Sequence, residues 1–207
     1  MPLKKPEFGG DAIEILKEET LFQGFARLVR YRLRHRLFRG GWTLPLEREL
    51  LVRREACAAI LYDPEHDLVG LVEQFRVGAL QSEYGPWCLE VVAGLVDPGE
   101  TPDQVIKREI HEEAGITEVE VVLITSYYTT PGACNEKIYL YSGLCNLSEA
   151  GGIFGLDHEN EDIRLHSIPA EEALAAMFSS RLNNASTLIG LQWLQANRVR
   201  LRKSGIR

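Results

Sequence analysis

The chain has 207 residues, 45% hydrophobic and 26% charged, with a formal net charge of −7. That suffices for one well-cored domain plus an appendage in a soluble globular protein, and no stretch reaches the ~20 consecutive apolar residues of a membrane helix. The acidic balance argues against a nucleic-acid partner, and four scattered cysteines (Cys57, Cys88, Cys134, Cys145) with no C-x-x-C pair indicate neither zinc nor disulfides.

The amino-terminal Met-Pro-Leu-Lys-Lys-Pro-Glu has no apolar run after its lysines, so no secretory signal is read and a reducing cytoplasm is expected. Residues 1–50 read as a strand region. Val29, Tyr31, Leu33, His35 and Leu37 alternate with Arg30, Arg32, Arg34 and Arg36, the period-two pattern of a strand with one arginine face. Such a face fits solvent first, and a partner subunit or an acidic ligand second. Gly40-Gly41 ends that strand. Apolar runs Ala56 to Tyr62 and Leu68 to Gln74 flank Asp63-Pro64-Glu65-His66-Asp67, a hairpin signal. A strand from Trp87 to Val92 follows, leading into Ala93-Gly94.

Thr101-Pro102-Asp103-Gln104 then supplies an N-cap, a Pro at the first helical position and the Gln of a capping box, and Gly115 ends the helix. Strands are expected over Glu118 to Tyr127 and Glu136 to Gly143, and helices over Ala170 to Phe178 and Ala185 to Ala196. Strands, helix, strands, helices make a mixed α/β domain.

The helix after Thr101 carries Glu109, Glu112 and Glu113, which at 100° per residue share an arc of about 100°. Like charges three and four apart repel, so helix stability does not favour them. Alone they read as a solvated face with Lys107 and Arg108 as counter-charges. A hard cation such as Mg²⁺ or Mn²⁺ reverses the sign, because neighbouring carboxylates and substrate phosphates are how it is held.

The flanking residues decide between the two. Gly94 to Ile116, GLVDPGETPDQVIKREIHEEAGI, fills every fixed position of G-x5-E-x7-R-E-U-x-E-E-x-G-U, namely Gly94, Glu100, Arg108, Glu109, Ile110, Glu112, Glu113, Gly115 and Ile116. Seven invariant letters at about one-twentieth frequency each match by chance on the order of once in a billion starts. The segment is identified as the box of the Nudix hydrolases. The resemblance implies an α/β/α sandwich with a mixed sheet, here with an N-terminal β-strand extension, and a Nudix domain over residues 51–207. It implies Glu109, Glu113 and the carbonyl of Ala93 as metal ligands, Arg108 orienting a box glutamate, and Gly94 and Gly115 as structural.

Thr129-Thr130-Pro131-Gly132, with Pro131 fifteen residues after Ile116, resembles the mark of the ADP-ribose pyrophosphatase branch. So do ETLFQGF from Glu19, YRLRHRLF from Tyr31, EQFR from Glu73, ENEDIR from Glu159 and IGLQWLQ from Ile189. This branch implies hydrolysis of ADP-ribose to AMP and ribose 5-phosphate with two or three Mg²⁺ ions, in a homodimer whose residues 1–50 contact partner and substrate. By position, Glu161 is a further metal ligand and Glu159 the base, with Glu112 the other candidate. Arg54, Arg76 and Glu136 contact substrate, Phe25 stacks near the adenine with Leu95 nearby, and Thr130, Pro131 and Gly132 line the terminal-ribose pocket. Two departures stand out: Thr130 replaces an expected Ser, and a longer stretch from Arg48 to Ala58 lets Arg53 or Arg48 take the place of Arg54. Glu159 and Glu161 would point to opposite sides of an extended loop, dividing base from ligand. A solvated acidic turn is the other reading of that loop. The alternatives to ADP-ribose are another nucleoside diphosphate sugar such as GDP-mannose, and a non-catalytic Nudix ligand sensor.

Overall fold

The computed structural model describes residues 3–204; Met1 and Pro2 of the amino-terminal stretch read above, and the last three residues, lie outside the described residues. The chain forms two units, Met1–Arg53 with Tyr128–Glu136, and Arg54–Tyr127 with Lys137–Arg207.

The first unit is built on three antiparallel strands in the order β1 (Ile13–Gln23), β2 (Arg27–His35) and β3 (Leu46–Val52). The arginine-faced strand is β2. Two arginines of its charged face are matched within the sheet: Arg30 pairs with Glu49 (2.8 Å) and Arg34 with Glu14 (2.6 Å). Opposite charges across neighbouring strands add a few tenths of a kcal/mol each to the sheet.

The second unit holds an eight-stranded mixed sheet, β10-β11-β5-β4-β9-β8, with β6 on β5 and β7 on β4. Its strands are β4 (Ala56–Asp63), β5 (Leu68–Phe75), β6 (Trp87–Glu90), β7 (Val92–Leu95), β8 (Glu120–Tyr128), β9 (Lys137–Leu144), β10 (Gly152–Phe154) and β11 (Ile163–Pro169). Strands β4 and β9 run parallel, which makes the sheet mixed. Every residue of β4 is buried. Its even residues Ala58, Ile60 and Tyr62 pack with Leu191 and Leu194 of α3 (Ala185–Ser204) and Ala173 of α2 (Ala170–Ala175). Its odd residues Cys57, Ala59 and Leu61 pack with Val105, Ile106 and Ile110 of α1 (Pro102–Ala114). Helices on both faces make three layers, which is why the strand reads as an unbroken apolar run.

The expected helix start stands: Gln104 Oε1 accepts from the Thr101 N–H (3.1 Å), and Gly115 closes α1 at φ 68°. Three expectations change. The strand expected from Trp87 to Val92 is two, because the chain leaves β5 at Glu90 and joins β4 from Val92. The final helix runs to Ser204, because Leu201 extends its buried stripe and Arg198 (2.8 Å) and Arg202 (2.9 Å) bind Asp67. Strands β10 and β11 were not expected; β10 has three residues, and in β11 only Ile163 and Leu165 are buried.

Candidate active site

Helix α1 brings the box carboxylates to β7. Glu113 is 2% exposed; its Oε2 accepts from the Ala93 N–H (3.1 Å) and its Oε1 from Gln74 Nε2 (3.5 Å). Glu109 lies against Gly94, where a Cβ would stand 2.0 Å from Glu109 Oε1. Glycine at 94 is therefore a condition for that carboxylate to occupy its place. Gly115 answers two demands, its left-handed φ and a Cβ that would fall 2.4 Å from the Phe154 ring.

Arg108 reaches three carboxylates of the box, Glu112 at 2.7 Å, Glu109 at 3.0 Å and Glu100 at 3.5 Å. Even so, the site is short of positive charge. Burial pushes the Glu113 carboxyl up to about 8, against the relief of the Ala93 N–H, and Glu109 raises it further. Burial pushes Glu109 up to about 7; Arg108 opposes that shift and Glu112 adds to it. Glu100 Oε2 is buried and, among the described residues, accepts no hydrogen bond, its one ion-pair contact being Arg108 at 3.5 Å. Among the described residues no three acidic, histidine or cysteine side chains converge into a ready-made ligand shell. The donors nonetheless suit a hard divalent cation: the Glu109 and Glu113 carboxylates lie beside the half-buried backbone of β7, and burial opposes the ionised form of both.

Glu161 belongs to this group, since its charge acts on both Glu109 and Glu113. Its Oε2 accepts from the Leu156 N–H (3.4 Å), and Gly155 donates to the Glu112 carbonyl (3.1 Å), tying the loop to α1. Glu159 is exposed on the 3-10 turn Asp157–Glu159, with His158 at 3.6 Å. The loop is not extended: Glu159 ends that turn and a left-handed Asn160 (φ 56°) separates it from Glu161, so strand alternation does not set their directions. Arg76 Nε donates to Glu90 Oε2 (2.8 Å), Leu95 lies half-buried in β7, and exposed Arg54 pairs with Asp97.

In the first unit, Arg53 lies over the Phe25 ring (5.9 Å) and pairs with Glu136 (3.2 Å). Arg53, rather than Arg54 or Arg48, is thus grouped with Phe25 and Glu136, two of the expected substrate contacts of that unit; Arg48 bonds the Glu47 carbonyl (2.7 Å). Phe25 is 88% exposed. Thr130, Pro131 and Gly132 form a turn closed by Ala133 and Cys134 N–H bonds to the Thr130 carbonyl (3.0 and 2.9 Å). A Cβ on Gly132 would meet nothing within 4 Å, so the fold leaves open space there. Sequence reasoning passed over Gln74 and Glu90, buried polar groups whose signal was a polar residue inside an apolar strand.

The NUDIX domain matches residues 52–187. The ADP-ribose pyrophosphatase of Haemophilus influenzae is 44% identical over 200 residues, 95% of this chain and 92% of the relative. That of Escherichia coli is 38% identical over 195 residues, 94% of this chain and 93% of its own. The GDP-mannose pyrophosphatase of an Enterobacter strain is 30% identical, covering 88% of this chain and 95% of its own. A solved crystal structure of an ADP compounds hydrolase superposes with TM-score 0.66 over 89% of this chain and 95% of its own; at 19% identity it bears on the fold alone.

Proposed function

The chain belongs to the Nudix family, and from that premise we propose that it hydrolyses the pyrophosphate of ADP-ribose to AMP and ribose 5-phosphate. The observation that carries the substrate is similarity at 44% identity over 95% of the chain to an ADP-ribose pyrophosphatase, against 30% for a GDP-mannose pyrophosphatase. The sensor reading has nothing in its favour, because each box carboxylate is present and buried or ion-paired.

Glu109, Glu113 and Glu161, with the backbone of Ala93, are the groups to hold Mg²⁺, Mn²⁺ being the alternative and two or three ions the expected number. When bound, the metal neutralises the diphosphate oxygens and lowers the pKa of the attacking water. Arg108 offsets part of the charge of Glu109 and Glu112 and fixes their directions. Arg76 takes a diphosphate oxygen on its guanidinium. Glu159 takes the proton of the attacking water, a role that falls to Glu112 if the loop stays away from the box. Phe25 with Arg53 offers a flat, cationic face to the adenine, Glu136 and Leu95 contact substrate, and Thr130, Pro131 and Gly132 receive the terminal ribose. The working form is a homodimer through residues 1–50, and the four free, buried cysteines suit a reducing cytoplasm.

Turnover of a panel of nucleoside diphosphate sugars with Mg²⁺, products resolved by chromatography, tests this. ADP-ribose should give the highest kcat/KM; faster cleavage of GDP-mannose, or cleavage of none, overturns the reading.

A further inference from the structure

Arg76 follows directly after β5, and its direction is set by a relay that runs to the last helix. Its Nε donates to Glu90 Oε2 (2.8 Å), and Glu90, closing β6, is 5% exposed. The other oxygen, Glu90 Oε1, accepts from Asn184 Nδ2 (3.0 Å). Asn184 immediately precedes α3, and its own Oδ1 accepts the Thr187 N–H (3.1 Å), the bond of an N-cap. Thr187 is wholly buried, and its Oγ1 accepts the N–H of Val91 (3.0 Å), the residue at which the sheet changes partner from β5 to β4. The break between β6 and β7 is therefore satisfied by Thr187 in the first turn of α3, and Asn184, which caps that turn, holds Glu90.

A carboxylate buried this deeply is costly unless both oxygens find donors, and here a guanidinium and an amide provide them. The Arg76 side chain remains 42% exposed, so part of the guanidinium is left for a ligand, and the charge of Glu113 acts on it. A long side chain held in advance loses less rotamer freedom on meeting an anion than one that must be ordered by it.

We propose that Glu90 and Asn184 are positioning residues that hold the Arg76 guanidinium for the substrate diphosphate, so that the amino end of α3 tunes substrate affinity through Arg76. This rests on the reading of Arg76 as a diphosphate ligand. Both residues act through Arg76, and neither is a catalytic residue.

Calorimetric binding of ADP-ribose to the full chain in EDTA, where turnover is absent, tests the relay. Asn184→Ser keeps a side-chain oxygen for the Thr187 cap and deletes only the amide to Glu90; Glu90→Gln weakens the grip on Arg76 directly. Each should weaken binding about tenfold, the size of a hydrogen bond to a charged group. In an Arg76→Ala background each should cost less than about twofold, because the path to substrate is already cut. With Mg²⁺, KM should rise while kcat changes little, since uniform binding is lost. Losses that multiply fully with Arg76→Ala, or no loss in either single variant, overturn the proposal. If Glu90→Gln fails to fold, Asn184→Ser carries the cycle alone. Equal binding by wild type and Arg76→Ala removes the role of Arg76 and this inference with it. A wild-type chain that does not hydrolyse ADP-ribose with Mg²⁺ refutes the substrate itself, and the relay to it; if binding in EDTA is too weak to read, the KM cycle with Mg²⁺ decides by the same criteria.

Discussion

Replacing Glu113 by glutamine removes a carboxyl whose ionisation the metal-free fold opposes. The side chain is 2% exposed, and its carboxyl is pushed from 4.5 up to about 8, mainly by burial. A folded value above the unfolded one means that this group's contribution is fully present below about pH 4.5 and is lost as pH rises through about 8. Near pH 7.5 the loss is on the order of 4 kcal/mol, at 1.36 kcal/mol per unit. Glutamine has the same shape, stays neutral and still accepts the Ala93 N–H. In EDTA near pH 7.5, Glu113→Gln should therefore melt several degrees above wild type, and near pH 4.5 the two should coincide. Added Mg²⁺ should raise the wild-type melting temperature more than the variant's. Turnover should fall more than ~100-fold, because each bound metal supplies several kcal/mol of charge stabilisation. The assays are thermal melts by circular dichroism across pH with and without Mg²⁺, and product release. A variant that melts below wild type in EDTA near pH 7.5, or a difference that ignores pH, refutes the reasoning.

Excess EDTA should abolish hydrolysis, and activity that survives it would remove the metal from the mechanism. Gly94→Ala should lower turnover by more than tenfold with the fold retained, because the new Cβ displaces the Glu109 carboxylate; unchanged kinetics would show that Glu109 need not sit there. Light scattering at micromolar concentration should report twice the 23.3 kDa chain mass, and a monomer mass would count against the dimer. Glu159→Gln should cut kcat by ~10²–10⁴ at an unchanged Mg²⁺ requirement, while Glu161→Gln should raise that requirement and be partly rescued by extra Mg²⁺. Rescue of Glu159→Gln instead would exchange the two roles, and indifference of both would pass the base to Glu112.

Local rules were enough for α1. The capping box at Thr101 and Gln104, Pro102 and the left-handed Gly115 are choices made within one helix, and the arc of Glu109, Glu112 and Glu113 follows from helical geometry alone. The β4–β5 hairpin was equally legible, because Asp63 and Pro64 set its turn between two apolar runs. The same sequence named the chemistry, since a carboxylate arc with Gly94 and Arg108 at fixed spacing has little other use. Tertiary structure decided what depends on neighbours distant in the chain. Whether the run from Trp87 to Val92 is one strand or two turns on which strand each half pairs with and on Thr187, nearly a hundred residues away, accepting the Val91 N–H. That Glu109 and Glu113 resist ionisation comes from their burial against β7, which no helical wheel reports. That Arg53 rather than Arg54 lies with Phe25 and Glu136 follows from which way each side chain leaves adjacent positions after β3, a backbone choice made by the sheet and invisible to residue type.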